Sequence, residues 1–179
     1  IGQVGDFTNY YKGNTSYFDP ILWKNNKQNQ YEGYCSDIFA ENAIEFIEKN
    51  KNNSFFCYLS FNAPHTPLQV PEKYYNMYKD LDPELGFKGE SLALKMSKKD
   101  KEDARRIYGM VTNIDDNVGK VLNKLTELGI EEDTIIIFMT DNGPQQFRYN
   151  SNMKGLKGTV YNGGTRVPFY IKYAGKFKN

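Results

Sequence analysis

Three short stretches of the sequence hold residues able to do chemistry on a small anion. His65, the only histidine, lies in NAPHTP with Pro64 and Pro67 close on either side. A backbone stiffened by proline holds an imidazole where a proton donor or acceptor is useful. The plainer alternative is a surface or core imidazole without a role. Asp141, Asn142 and Gly143 follow the apolar run TIIIFMT. Their carboxylate and amide oxygens are hard donors suited to Ca²⁺ or Mg²⁺. Asp-Asn-Gly is also ordinary turn chemistry, and two donors fall short of the roughly six to eight oxygens that Ca²⁺ takes. In the third stretch Lys154 and Lys157 alternate with Gly155 and Gly158. Backbone can come close to an anion there while an ammonium supplies charge, the alternative being a solvated basic loop. Arg166, before Val167 and Pro168, suits either a carboxylate or local structural support. The phosphate loop G-x-x-x-x-G-K-[ST] and the dinucleotide glycine pattern are absent.

These stretches need elements to carry them. Apolar residues at Ile38, Phe39, Ala43, Ile44, Phe46 and Ile47 predict a helix starting near Ser36 or Asp37, either able to cap, and ending near 50–53. The run 54–61 (SFFCYLSF) has the length and apolarity of a strand covered on both faces, and the prolines after it end any ladder. A second helix is expected over about 100–128, where apolar residues recur every three or four positions until Gly129 stops it. The β-branched run 134–140 reads as another buried strand, and 167–173 as a last one. Helix, strand, long helix, strand predicts a mostly parallel sheet, with 54–61 parallel to 134–140 and the long helix on a sheet face. Ligands of such sheets bind beyond the carboxyl ends of strands, so His65 and Asp141 are expected to open toward one crevice that Lys157 can approach. Residues 1–34 read as largely irregular, with at most a strand piece near 20–23. Within 68–100, a Tyr-rich stretch suits a short surface helix and a lysine-rich one a loop.

The bulk properties narrow the function classes. The chain has 179 residues, and 23 Lys and Arg against 22 Asp and Glu leave a net charge of +1, which argues against a nucleic-acid or anionic-membrane partner. The lysines at 88, 95, 98, 99 and 101 form a basic run, but Glu90 and Asp100 interrupt it. Mean hydropathy is -0.69, and no apolar run approaches the roughly 18 residues needed to span a bilayer. No secretory leader is visible in residues 1–20. Cys35 and Cys57 sit in unrelated contexts and build neither a disulfide framework nor a thiolate cluster.

Four ordered blocks carry a resemblance: YLSFNAPHTPL at 58–68, the stretch from Tyr108 to Gly119 with Asp115, TIIIFMTDNG at 134–143, and LKGTVYNGGTRVP at 156–168. Together with Tyr34 and Asp37, which look like a G-Y-x-x-D lead-in, they resemble the type I sulfatases of the alkaline phosphatase superfamily. The resemblance implies an α/β fold, here a partial α/β/α sandwich with a mostly parallel sheet. It implies Asp141 and Asn142 as ligands of an active-site Ca²⁺, and Lys157 and His65 as sulfate contacts, His65 also assisting at the leaving oxygen. It further implies a formylglycine nucleophile made from the cysteine of a C-x-P-S-R-type motif, sulfate-ester substrates such as sulfated glycans, and a periplasmic or extracellular setting. Neither Cys35 nor Cys57 has that motif's context, so the whole of 1–179 is expected to correspond to a middle portion of a sulfatase catalytic domain, inactive alone. Thr140 stands where Ser is common in the family, and Asn162 where Glu is usual. The alternatives are a two-zinc phosphodiesterase or phosphatase of the superfamily, which typically carries D-H-G where this chain has D-N-G, and a catalytically inert scaffold module.

Overall fold

The computed structural model describes residues 16–86, 96–174 and 176–177. The first element is a hairpin, β1 (Ile21–Lys24) paired antiparallel with β2 (Lys27–Gln30), Ile21 opposite Gln30. Its two-residue turn places Asn25 and Asn26 at φ of 52° and 63°, a left-handed pair that the short amide side chain tolerates. The strand piece expected near 20–23 is therefore β1, and its polar partner KQNQ offered no hydrophobic signal. Helix α1 (Cys35–Asn50) follows, and the structure revises its capping. Tyr34 occupies the cap position without a side-chain bond, and the Cys35 amide is satisfied by the Tyr17 carbonyl at 2.8 Å. Asp37, in the first turn, points elsewhere. Its Oδ1 accepts from Asn113 Nδ2 at 2.8 Å and from Asn117 Nδ2 at 2.6 Å.

Those asparagines belong to α3 (Lys98–Glu127), the long helix expected at about 100–128. Its start is fixed by a reciprocal box, Ser97 accepting from the Asp100 amide and Asp100 from the Ser97 amide. Gly129 at φ 68° ends it, with the amides of Gly129 and Ile130 returning to the carbonyls of Thr126 and Leu125. The short helix α2 (Glu72–Tyr75) is the predicted Tyr-rich surface turn, and it packs on α3 through Tyr74, whose hydroxyl donates to Asp116 at 2.8 Å. After a 3₁₀ turn (Pro83–Gly86), most of the lysine-rich stretch lies outside the described residues. Lys101 ties that turn to α3 by pairing with Asp82 at 3.0 Å and Glu84 at 2.9 Å. The core lies between α1, α3 and the hairpin, where Leu22, Ile38, Phe39 and Met110 are buried. Each such side chain is worth about 1.5–3 kcal/mol of transfer free energy.

The strand expectations need correction in detail. β3 (Ile136–Met139) and β4 (Phe169–Lys172) form within the predicted runs, but they pair antiparallel with each other, Ile136 opposite Lys172. Ile137 and Met139 are more than half exposed. The run 54–61 has no ladder partner among the described residues, and Phe56 and Tyr58 are 85% and 79% exposed. A run of buried-strand composition becomes a buried strand only when neighbours bond its edges and cover its faces. The described elements bond neither edge and cover only one side, where Phe55 meets Phe46 of α1 and Leu59 and Phe61 pack against the core. Likewise α3 packs on α1, α2 and the 3₁₀ turn rather than on a sheet face. A short α4 (Asn162–Thr165) precedes β4. No helix among the described residues is long and apolar enough to cross a membrane.

Burial at the α1 start makes a pH prediction. Desolvation pushes the Cys35 thiol from 9.0 up to about 12 and raises the Tyr34 phenol in the same direction. Because these folded-state values lie above the unfolded ones, the folded chain holds the extra protons, and stability present below about pH 9 is lost as pH rises toward 12. Urea midpoints measured from pH 7.5 to 10.5 should fall steadily, and Cys35→Ala should flatten the fall. An identical slope in the variant would show that the buried thiol is not a source.

Candidate functional site

His65 stands in the turn that follows 54–61. The turn is closed by the His65 amide on the Asn62 carbonyl at 2.9 Å, and both the Ala63–Pro64 and Thr66–Pro67 bonds are cis. The imidazole is exposed. Its Nδ1 lies 2.8 Å from the Thr66 carbonyl, which can only accept, so Nδ1 is the donor in this contact and Nε2 is the ring's acceptor. From below, Tyr17 donates to the carbonyls of His65 and Asn62, and Tyr34 donates to that of Gln69 at 2.9 Å.

Asp141 and Asn142 come just after β3, as the sequence predicts for a loop beyond a strand end. Asp141 is exposed and takes part in no ion pair or side-chain hydrogen bond among the described residues. Asn142 donates Nδ2 to the Gly143 carbonyl at 2.9 Å, which leaves Oδ1 as its acceptor for a ligand. Backbone bonds lace this turn to the lysine loop: Gly143 to the Gly164 carbonyl at 3.0 Å, Lys157 to Pro144 at 2.8 Å, and Gly163 to Lys154 at 2.8 Å. The strands of backbone cross so tightly that a Cβ on Gly143 would sit 1.8 Å from the Gly163 oxygen, and one on Gly163 would sit 2.1 Å from the Gly155 oxygen. Glycine is required there for space.

The two lysines separate in role. Lys154 lies over the Tyr161 ring at 4.0 Å. Lys157 is exposed and unpaired among the described residues, so its ammonium is available to an anion. The structure thus brings the Asp141–Asn142 turn and the Lys157 segment into one frame, while His65 sits on a separately anchored loop. Arg166 is exposed, its amide closing the α4 turn onto Asn162 at 2.8 Å. Arg148, which sequence reasoning passed over, is half-buried beside this frame with Nη1 3.3 Å from Gln146 Oε1. Desolvation lowers its pKa, opposed by Tyr108. A lone arginine in a polar loop gave no sequence signal.

As donors for a hard divalent cation, Asp141 and Asn142 fit in kind. They do not suffice in number, since no three of His, Cys, Asp and Glu among the described residues converge on a metal position. The thiols offer no activated nucleophile: Cys35 is buried with its pKa pushed up to about 12, and Cys57 is an exposed free thiol in a different context. A cavity of about 160 Å³ lies apart from these groups, between β1 and α1, lined by Trp23, Phe39 and Phe46.

Comparison with known proteins points one way. The sulfatase family profile matches residues 3–179. The chain is 28% identical over 180 residues to the uncharacterized sulfatase YdeN of Escherichia coli, covering 96% of this chain and 29% of that protein. It is 29% identical over 160 residues to the ulvan-active sulfatase of Formosa agariphila, covering 87% and 30%. A crystal structure of Ps i-CgsB in complex with k-i-k-neocarrahexaose superposes with a TM-score of 0.71 at 28% identity, covering 95% of this chain and 36% of that one. The alkaline phosphatase-like α/β fold expected from the sequence is the fold of these structural neighbours. The chain spans about a third of the length of the relatives it matches.

The glycine crossing is open to direct test. Gly163→Ala should force the Gly155 and Lys154 carbonyls apart, cost about 1–3 kcal/mol as overpacking does, and speed amide exchange across 141–165. Unchanged stability and exchange would mean that the loops do not cross as described.

Proposed function

The chain belongs to the sulfatase family, and from that premise we propose that it carries part of the site of a sulfuric ester hydrolase acting on sulfate monoesters. The observation that supports this most is the lacing of the Asp141–Asn142 turn to the Lys157 segment. It puts hard oxygen donors and an ammonium unpaired among the described residues on one hydrogen-bonded backbone frame, a combination suited to a sulfuryl group. Lys157 holds sulfuryl oxygens and balances charge that builds on them. His65, with Nδ1 kept protonated by Thr66, binds through Nε2 and moves a proton at the bridging oxygen as the ester bond breaks. Asp141 and Asn142 would hold Ca²⁺ together with donors from outside this pair, and the cation would supply positive charge against the sulfuryl oxygens.

The nucleophile in this reading is a formylglycine derived from a cysteine in a C-x-P-S-R-type motif, which neither Cys35 nor Cys57 provides. The isolated 179-residue chain is therefore inactive in this proposal, and the complete catalytic domain is a longer protein. The substrate class favoured is a sulfated saccharide, because the ulvan-active relative and the neocarrahexaose complex both concern saccharides. A periplasmic or extracellular setting suits such substrates. A two-zinc phosphodiesterase is the lesser reading, since Asn142 offers an amide oxygen where that chemistry favours an imidazole.

The test compares isolated chain and full-length protein, each with Ca²⁺, on a chromogenic aryl sulfate and a panel of sulfated saccharides. The isolated chain should give no turnover and the full-length protein, with its cysteine converted, robust turnover. In the latter, His65→Ala should lower kcat by about 10²–10⁴-fold. Turnover by the purified isolated chain that is abolished by changing Cys35 or Cys57 would overturn the proposal, as would a preference of the full-length protein for phosphate diesters.

A further inference from the structure

The carbonyls that flank Pro64 are both held by one phenol. Tyr17 Oη lies 3.1 Å from the His65 oxygen and 3.4 Å from the Asn62 oxygen, so its single proton is shared beneath the turn that carries the imidazole. Tyr17 is itself fixed on three sides. Its amide donates to Gln69 Oε1 at 2.6 Å, its carbonyl accepts from the first amide of α1 at 2.8 Å, and its ring meets Tyr34 edge-on, with centroids 6.2 Å apart at 76°. The residue is 7% exposed. At the far end of the same loop, Tyr34 donates to the Gln69 carbonyl and Arg106 reaches the Leu68 carbonyl at 3.5 Å. Because Nδ1 of His65 is bonded to the carbonyl of the very next residue, a rotation of this backbone turns the ring and breaks the bond that fixes its tautomer.

We propose that Tyr17 is a positioning residue for His65, using its buried hydroxyl to hold the backbone on both sides of Pro64 so that Nε2 is presented in one direction and one tautomer. The proposal rests on the sulfatase reading for its consequence in catalysis, but its structural content stands apart from that reading. Tyr17 acts on the backbone of the turn through its hydroxyl. It connects the start of α1 to the histidine turn, so the packing of the helix pair is transmitted to a side chain that lies at the surface. In physical terms the phenol supplies a donor that both carbonyls share, which restrains their rotation, and a ring anchored this way reacts without first being oriented.

The test uses Tyr17→Phe, which keeps the ring and removes only the hydroxyl. In the full 179-residue chain, ¹⁵N spectra of His65 should show one tautomer with Nδ1 protonated in the wild type, and mixed tautomers or broadened signals in the variant. In the full-length protein, kcat on an aryl sulfate should fall about five- to tenfold with KM within about twofold. In a His65→Ala background the same change should alter kcat by less than about twofold, as expected of residues acting as one unit. An unaltered His65 spectrum beside a lowered Tm would mean that Tyr17 is merely structural and would overturn the proposal. An equal loss of kcat with and without His65 would also overturn it. Should Tyr17→Phe fail to fold, Gln69→Met removes the bond to the Tyr17 amide and should shift the His65 spectrum in the same sense. An unshifted spectrum in that variant would count against the proposal. If the full-length protein hydrolyses no sulfate ester, the sulfatase reading fails while the His65 spectra still decide the positioning claim.

Discussion

One carboxylate sets the frame on which the rest is built. Asp37, in the first turn of α1, accepts from two asparagines one turn apart on α3, and Lys120 closes the network onto Asn117 at 3.0 Å. Hydrogen bonds to a charged acceptor are worth about 1.5–3 kcal/mol each and are directional, so they set the axial register of two helices that apolar packing alone would leave free to slide. The network carries one cost. Asn113 is fully buried, and its Oδ1 lacks a hydrogen-bond partner among the described residues. Turning that amide over would set Oδ1 against the Asp37 carboxylate, so the orientation seen is the better of two imperfect ones. Register in turn places Tyr34 and Cys35 at the head of α1, Cys35 holds Tyr17 through the backbone, and Tyr17 holds the His65 turn.

The other part of the site is built on a different principle. Around Asp141 and Lys157 there is little apolar packing. The frame is backbone against backbone, made possible where Gly143, Gly155, Gly163 and Gly164 leave no side chain in the way. Such a frame holds its loops close, and it leaves Asp141 and Lys157 without an ion pair among the described residues while Lys154 lies over Tyr161. The neighbouring sheet of β3 and β4 is apolar and exposed, with Ile137, Met139, Phe169 and Ile171 each between 46% and 58% accessible. These are residues whose composition calls for cover on both faces.

The sequence was most legible where local rules suffice. The period of α3 and its glycine stop are readable from neighbours within a few positions, and so is the order of motif and strand at 134–143, whereas its Ser97–Asp100 start emerged only in the structure. His65, Asp141, Asn142 and Lys157 could be read as donors of a suitable kind, but Asp-Asn-Gly is also ordinary turn chemistry and their roles were implied only by the family resemblance. Pairing was not legible. Whether 54–61 gains a ladder, and whether β3 meets a parallel or an antiparallel neighbour, depends on what lies alongside, which no local pattern encodes. The role of Asp37 was hidden for the same reason, since an aspartate near a helix start reads as a cap until its partners 76 and 80 residues away are known. Tyr17 gave no signal at all, being one of 14 tyrosines in the chain.

Two separately supported frames carry the candidate residues, His65 resting on the helix pair and the Asp141 and Lys157 segments on the glycine crossing. Hydrogen exchange resolved along the chain, comparing wild type with Asp37→Ala under conditions where both stay folded, tests this division. Protection should be lost across 35–50 and 62–69 and unchanged over 141–165. Loss spread evenly over all three segments, or none at 62–69, would contradict it.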